Sequence, residues 1–361
     1  MSAVFLFLLI GLSQLATGIG FLGLLRTRIR PAFLLPLALL LGLGLSSLLP
    51  FLLQLLFIPL TATAVFLSQL LSSTGLLIAG RRGLSILKDG LKKSSFRVRL
   101  YEIPFLLVIT GLFLVSAWRC FYYPPTPRDL TSGAEVIAEY AVREKTMINS
   151  LFTVNLESTN NQFKPPFITS LQVLYKYAGF PFGQVWLISM VACFLIFLYH
   201  ALCEKMHRVL AGLLLVFFMA IPEMYAYTFM ALFDYPNAVY FFLSVFFLIR
   251  FYQTGERKDI LLAGVLMGLA TYIRSETLIL ACLIAPALLW HHVKNWHSGR
   301  RLLFSGLFWI LPSVMAYLLS VTVYINLYLP AQYNVEGLVN KNLLNLKPLF
   351  DRFSAINSSL I

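Results

Sequence analysis

Ten apolar runs restrict what this chain can fold into more than any other feature. They lie near residues 3–25, 32–57, 59–80, 101–120, 183–201, 207–222, 236–251, 259–273, 277–291 and 302–329. A helix needs about 20 residues to cross the hydrocarbon core of a bilayer, within a range of about 17–25. The runs at 259–273 and 277–291 are short and read as one tight hairpin or as a partly inserted pair. Only 12% of the 361 residues are charged, whereas a soluble domain carries roughly 25%. Most of the surface must therefore face lipid. The expected fold is an all-α integral membrane protein of about ten transmembrane helices. The first run has no basic flank before it and no small-x-small cleavage site, so it reads as a span and not as a cleaved leader.

The excess of basic residues is clustered. Arg26, Arg28 and Arg30 follow the first run, and Arg81, Arg82, Lys88, Lys92, Lys93, Arg97 and Arg99 follow the third. Lys205 and Arg208 follow the fifth, Arg250, Arg257 and Lys258 the seventh, and Lys294, Arg300 and Arg301 the ninth. With ten spans, all five clusters fall on one side, and the positive-inside rule makes that side cytoplasmic. The expected location is the cytoplasmic (inner) membrane. The segment 121–182, the Pro222–Pro236 segment and the Tyr272–Glu276 turn then share the extracytoplasmic face. The basic stretch 81–99 reads as a topological anchor. It has no interleaved aromatics, so it does not resemble a nucleic-acid site. It divides the chain into a Leu-rich three-helix segment (1–80) and a membrane module (100–330), followed by an extracytoplasmic tail (331–361). The four cysteines lie in or beside apolar runs without metal spacing and read as packing residues.

The outer segment 121–182 is the long polar interruption of this pattern. Asp129 lies early in it, after a proline-rich exit from the fourth run, and has two readings: an N-cap, or a catalytic or metal-binding carboxylate. Behind it, Glu135 and Glu139 stand four apart on one face of an amphipathic helix suited to a membrane surface. Lys164, in Phe163-Lys164-Pro165-Pro166-Phe167, either snorkels at the interface or binds a phosphate. Glu223 and Asp234 stand at outer helix ends, where acidic residues are costly unless paired or wet. Arg274 is a positive charge on the outer side, against the topological trend. It reads either as a local pair with Glu276 or as a phosphate ligand.

In their order along the chain, these stretches resemble the GT-C superfamily of polytopic glycosyltransferases, which includes protein O-mannosyltransferases and aminoarabinose–lipid A transferases. The likeness rests on four features within residues 100–330. Asp129 stands early in the outer loop, and Lys164-Pro165-Pro166-Phe167 leads into an apolar stretch ending at Gly179. Asp234-Tyr235-Pro236-Asn237 closes a short outer connection. The stretch Gly264–Leu280 is similar to the family's "GLA…RPEGL" hairpin, with Ser275 in place of proline. Many members carry a second acidic residue beside the first. Here Leu130 follows Asp129, and Glu135 is the nearest substitute.

The resemblance implies transfer of a sugar from a polyprenyl-phosphate donor to a glycan, lipid or protein acceptor at the outer face. Asp129, with Glu135, would supply the catalytic carboxylates. Lys164 and Arg274 would meet the donor phosphate, with Glu223, Asp234 and Glu276 contacting substrate. A divalent metal is compatible with such a site, but no residue is assigned to hold one. Two other readings stand beside this one: a non-catalytic membrane scaffold that keeps the fold, and a transporter, which would favour broken helices in two inverted halves.

Overall fold

Among the described residues the fold, seen in a computed structural model, is 82% helical with no strand. The structure describes residues 3–92, 99–125, 130–153, 164–294 and 299–328. Asp129, residues 93–98 of the basic stretch and the tail 331–361 lie outside the described residues. Each of the ten apolar runs contains a helix. Among the described residues, seven helical segments are long and apolar enough to cross a membrane: Ala3–Leu25, Pro31–Leu55, Ala62–Lys88, Leu100–Tyr122, Trp186–Cys203, Asp234–Thr254 and Ser305–Tyr324. The chain is thus an integral membrane protein by length and apolarity. Within a bilayer only helices and closed barrels satisfy their own backbone, which accounts for the helical content.

The elements in chain order are α1 (Ala3–Leu25), α2 (Pro31–Ser46), α3 (Leu49–Leu55), α4 (Ala62–Lys92) and α5 (Ile103–Tyr122). Then come α6 (Val136–Glu144), α7 (Ser150–Thr153), α8 (Phe167–Tyr177), α9 (Trp186–Cys203) and α10 (Arg208–Ala220). Last are α11 (Pro222–Tyr227), α12 (Asp234–Thr254), α13 (Arg257–Ile273), α14 (Thr277–Lys294) and α15 (Gly299–Tyr317). Helix α4 does not stop at the basic stretch. It carries Arg81 and Arg82 onward as helix, because nothing there breaks the backbone pattern. Helix α5 and most of α4 expose their apolar side chains, with Leu107, Leu114 and Leu71 all open at the surface. Such a continuous apolar exterior is the surface a lipid phase covers.

Backbone-to-backbone contact at glycine holds the bundle together. A Cβ added at Gly18 of α1 would land on the Ala38 carbonyl of α2, and one at Gly42 of α2 on the Gln14 carbonyl of α1. Gly23 and Gly83 join α1 to α4 in the same way, and Gly264 and Gly268, four apart on α13, abut Phe308 and Pro312 of α15. Lipid tails are as apolar as leucine, so membrane helices associate through this close van der Waals packing. The core is continuous from Ile10 to Trp309. The first three runs therefore share it with the rest: Tyr240 of α12 donates its hydroxyl to the Leu40 carbonyl at 2.7 Å, and Tyr175 of α8 donates to Gln14 Oε1 at 3.1 Å.

Basic residues that follow the first, fifth and seventh runs meet at one end of the helices. Arg30 pairs with Glu204. Arg250 Nη2 donates to the Arg28 carbonyl at 2.7 Å and Lys258 Nζ to the Arg26 carbonyl at 2.6 Å. Arg208 pairs with Glu102 at 2.9 Å.

The glycine contacts give a direct prediction. Gly264→Leu should destabilise the protein by about 1–3 kcal/mol through overpacking, read as a lower unfolding midpoint in detergent. Gly75→Leu, at a position with open space around it, should leave the midpoint unchanged. Equal midpoints for the two variants would show that the glycine contacts do not hold the helices.

Candidate functional site

The segment expected to be an outer polar loop contains a helix that is enclosed along nearly all of its length. Residues Phe167 to Tyr175 of α8 are all buried, including Thr169, Ser170 and Gln172. The buried prolines Pro165 and Pro166 set its start. Proline cannot continue a preceding helix hydrogen-bond pattern, and the Pro166 carbonyl accepts the first turn's bond from Ser170 N at 2.8 Å. Lys164 stands just ahead of it, half-buried. At its entrance, the Phe167 ring packs edge-on against Tyr272 and Tyr240, with centroids 6.4 and 6.1 Å away.

At the other end of α8, Lys176 enters a cluster of charges. Its Nζ stands 2.5 Å from Glu135 Oε1 and 3.0 Å from Glu139 Oε2. The lysine side chain is only 5% exposed and Glu135 only 13%. Gln172 Nε2 donates to Glu135 at 2.8 Å, and Arg143 pairs with Glu139 at 3.0 Å. The face of α6 expected to lie on the membrane surface instead buries Ala138 and Ala141, and α6 packs against α8. Ile137 joins a small cluster with Phe51, Phe152 and Tyr324. Glu135 and Glu139 share a face, as the four-residue spacing requires, and that face meets the lysine.

The environment separates the two carboxylates. Burial pushes Glu135 up; the charge and hydrogen bond of Lys176 pull it back, and Glu139 adds a further push, leaving it at about 7 against the usual 4.5. Burial also acts on Glu139, but Lys176 and Arg143 outweigh it and hold that carboxyl below the ordinary value.

A second cluster forms where the Pro222–Pro236 segment meets the α13–α14 turn. Arg274 pairs with Asp234, and its Nε stands 3.8 Å from Glu276. Asn237 Nδ2 donates to the Ala270 carbonyl at 2.8 Å and to Thr277 Oγ1 at 2.7 Å, which fixes the turn against α12. Glu223 is exposed in the first turn of α11. Burial, then the charges of Asp234 and Glu223, raise the Tyr227 phenol above its usual value, so Glu223 and Asp234 share one field. The hydroxyls of Ser170, Tyr235 and Tyr272 are buried and have no hydrogen-bond partner among the described residues.

The structure thus gathers Glu223, Asp234, Arg274 and Glu276 at one place and puts Glu135 at another. The two are joined by α8. Its first residue touches Tyr272, and its tenth is Lys176, so the two contacts stand roughly 14 Å apart along the helix axis at 1.5 Å per residue. Lys164 lies at the Arg274 end of α8. Lys176, Gln172 and Tyr227 were not singled out in the sequence. A lysine embedded in a run as apolar as Leu171–Tyr177 was the available signal, because a charge that must be buried needs partners. Among the described residues, no group of three or more His, Cys, Asp or Glu is placed to hold a metal ion.

The cluster at Glu135 sets two outcomes. Lys176→Met leaves two carboxylates without their buried cation and should cost on the order of 3 kcal/mol. Glu135→Gln should cost less, because Lys176 keeps Glu139. Equal losses in a denaturation series would contradict this asymmetry. The second outcome concerns pH. Because the fold raises the Glu135 carboxyl, its contribution to stability is full below about pH 4.5 and is lost as pH rises through about 7. The wild-type unfolding midpoint should therefore fall relative to that of Glu135→Gln across this window; parallel pH profiles would refute the assignment. No family model, curated protein or solved structure matches this chain.

Proposed function

We propose that this protein is a membrane glycosyltransferase of the GT-C type. It moves a sugar from a polyprenyl-phosphate donor to an acceptor hydroxyl at the end of the helices opposite the basic clusters, on the extracytoplasmic side. On this reading all ten apolar helices traverse the bilayer, with the buried α13 and the short α10 and α14 completing the alternation.

One observation carries the reading. Three stretches on which the family likeness rests, spread over more than a hundred residues of sequence, meet in space. Phe167, at the end of the Lys-Pro-Pro-Phe run, packs on Tyr272. Tyr272 stands two residues before Arg274, and Arg274 pairs with Asp234 of the Asp-Tyr-Pro-Asn stretch. The unpartnered buried hydroxyls of Ser170, Tyr235 and Tyr272 add polar groups that a sugar or ordered water would satisfy, since buried polar atoms are normally bonded.

The chemistry assigned to these groups is simple. The acceptor oxygen attacks the anomeric carbon as the bond from that carbon to the phosphate oxygen breaks. The acceptor proton passes to Asp129, a carboxylate general base, and the lipid phosphate leaves with its electron pair. Arg274 neutralises that charge. A guanidinium has five donors; Asp234 and Glu276 engage Nη1 and Nε, and the side chain is 34% exposed, so donors remain for phosphate. Asp234 and Glu276 orient the fork, and Lys164 adds a point charge beside it. Glu135 is held by Lys176 and Gln172 and shapes the segment that carries Asp129.

The test is sugar transfer from a polyprenyl-linked donor by purified protein. Asp129→Asn should abolish turnover while the protein stays folded. Arg274→Ala should raise the donor KM by about tenfold or more, the loss of one charge-assisted contact. Turnover like wild type in Asp129→Asn would remove the base assignment, and an unchanged donor KM in Arg274→Ala would remove the phosphate role.

A further inference from the structure

At the basic end of the helices, far from the clusters described above, a cavity of about 380 Å³ opens between α9 and α12. Its wall is apolar, formed by Leu198, Leu202, Phe242, Phe246 and Ile249. Its rim carries Arg30, Lys205 and Arg250, with Glu204 as the one acidic lining residue. The wall is rigid: Phe246 packs on Phe33 and Phe197 with centroids 5.5 and 5.1 Å away.

The rim charges are not equivalent. Arg30 is engaged by Glu204. Arg250 is held 3.2 Å from Asp259 and donates to the Arg28 carbonyl. No described side chain pairs with the Lys205 ammonium. With Arg30 held by Glu204 and Arg250 by Asp259, the rim keeps a net positive charge, and its one unspent ammonium is that of Lys205. The volume lies in the range of small-ligand pockets, about 300–1,000 Å³. An apolar slot at the end of membrane helices, capped by a net positive rim, fits one chemistry: an anionic headgroup above an acyl chain.

We infer that this cavity binds an anionic phospholipid. Its phosphate meets Lys205 and the outer donors of Arg30 and Arg250. The start of one acyl chain lies on Leu198, Phe242 and Phe246, and the rest leaves past Ile249, which is exposed, into the bilayer. A zwitterionic lipid offers the same chain but brings its own cation to a rim already positive, so charge selects the ligand. The site is independent of sugar transfer, and its failure would leave that proposal standing.

The experiment is thermal unfolding of the full-length protein in neutral detergent, titrated with dioleoyl phosphatidylglycerol, dioleoyl phosphatidylcholine or glycerol phosphate. Phosphatidylglycerol should raise the midpoint, and the other two should not. Lys205→Glu, at an exposed position, should weaken the phosphatidylglycerol response by about tenfold or more, and Leu198→Trp, which fills the slot, should abolish it. Equal responses to the two lipids, or an unchanged response in Lys205→Glu, would overturn the inference. A full response to glycerol phosphate would reduce the site to a simple anion site. Concentration-dependent dimerisation lost in Leu198→Trp would assign the slot to a second copy. Either of these results overturns the lipid.

Discussion

Close contact between helix backbones at glycine is the constraint on which the rest of this structure depends. Gly18, Gly42, Gly83 and Gly264 each stand where a side chain would strike a neighbouring carbonyl. In lipid, the hydrophobic effect does not draw one apolar helix to another. The packing of α1 with α2 and α4, and of α13 with α15, must come from contact that only small residues permit. Those contacts fix α13, and α13 carries Arg274 at its end. Through Phe167 and Tyr272 they also fix one end of α8.

Helix α8 then divides the polar chemistry. Its entrance lies by Arg274 and its exit holds Lys176, so one short buried helix separates two charged clusters. In the cluster at Glu135 each charge has a partner, and its centre, Lys176 with Glu135, is nearly closed to solvent, while Glu139 and Arg143 lie at its open edge. The one at Arg274 is more open, with Asp234 and Glu276 about half exposed or more. A closed network suits holding a shape, while an open one with spare arginine donors suits meeting a ligand. This difference in exposure is why the donor phosphate is assigned to Arg274 and the supporting role to Glu135.

The sequence made the helical class legible because apolar runs of membrane-spanning length have few other solutions. It also made the Arg274 end partly legible: Asp234, singled out at an outer helix end, and Glu276, read as a local pair of Arg274, both stand beside that arginine. The interior course of α8 was hidden. Its eleven residues are too short to span a bilayer, and Thr169, Ser170, Gln172 and Lys176 suggest a helix open to water. Only tertiary partners such as Trp186, whose Nε1 donates to Gln172 at 3.2 Å, make burial of those groups affordable. The pairing of Lys176 with Glu135 was likewise invisible, because the residues are forty-one positions apart and no local spacing links them. The continuation of α4 past residue 81 was concealed by charge, which marks a membrane boundary but does not end a helix.

The central claim is that the Arg274 end receives a lipid-linked sugar. Its most direct test is mass spectrometry of the lipids released from protein purified in mild detergent from its native membrane. The account predicts a polyprenyl phosphate bearing a sugar in the wild-type sample and its loss from Arg274→Ala. A wild-type sample that releases only phospholipids, or an Arg274→Ala sample that retains the polyprenyl species, would contradict it.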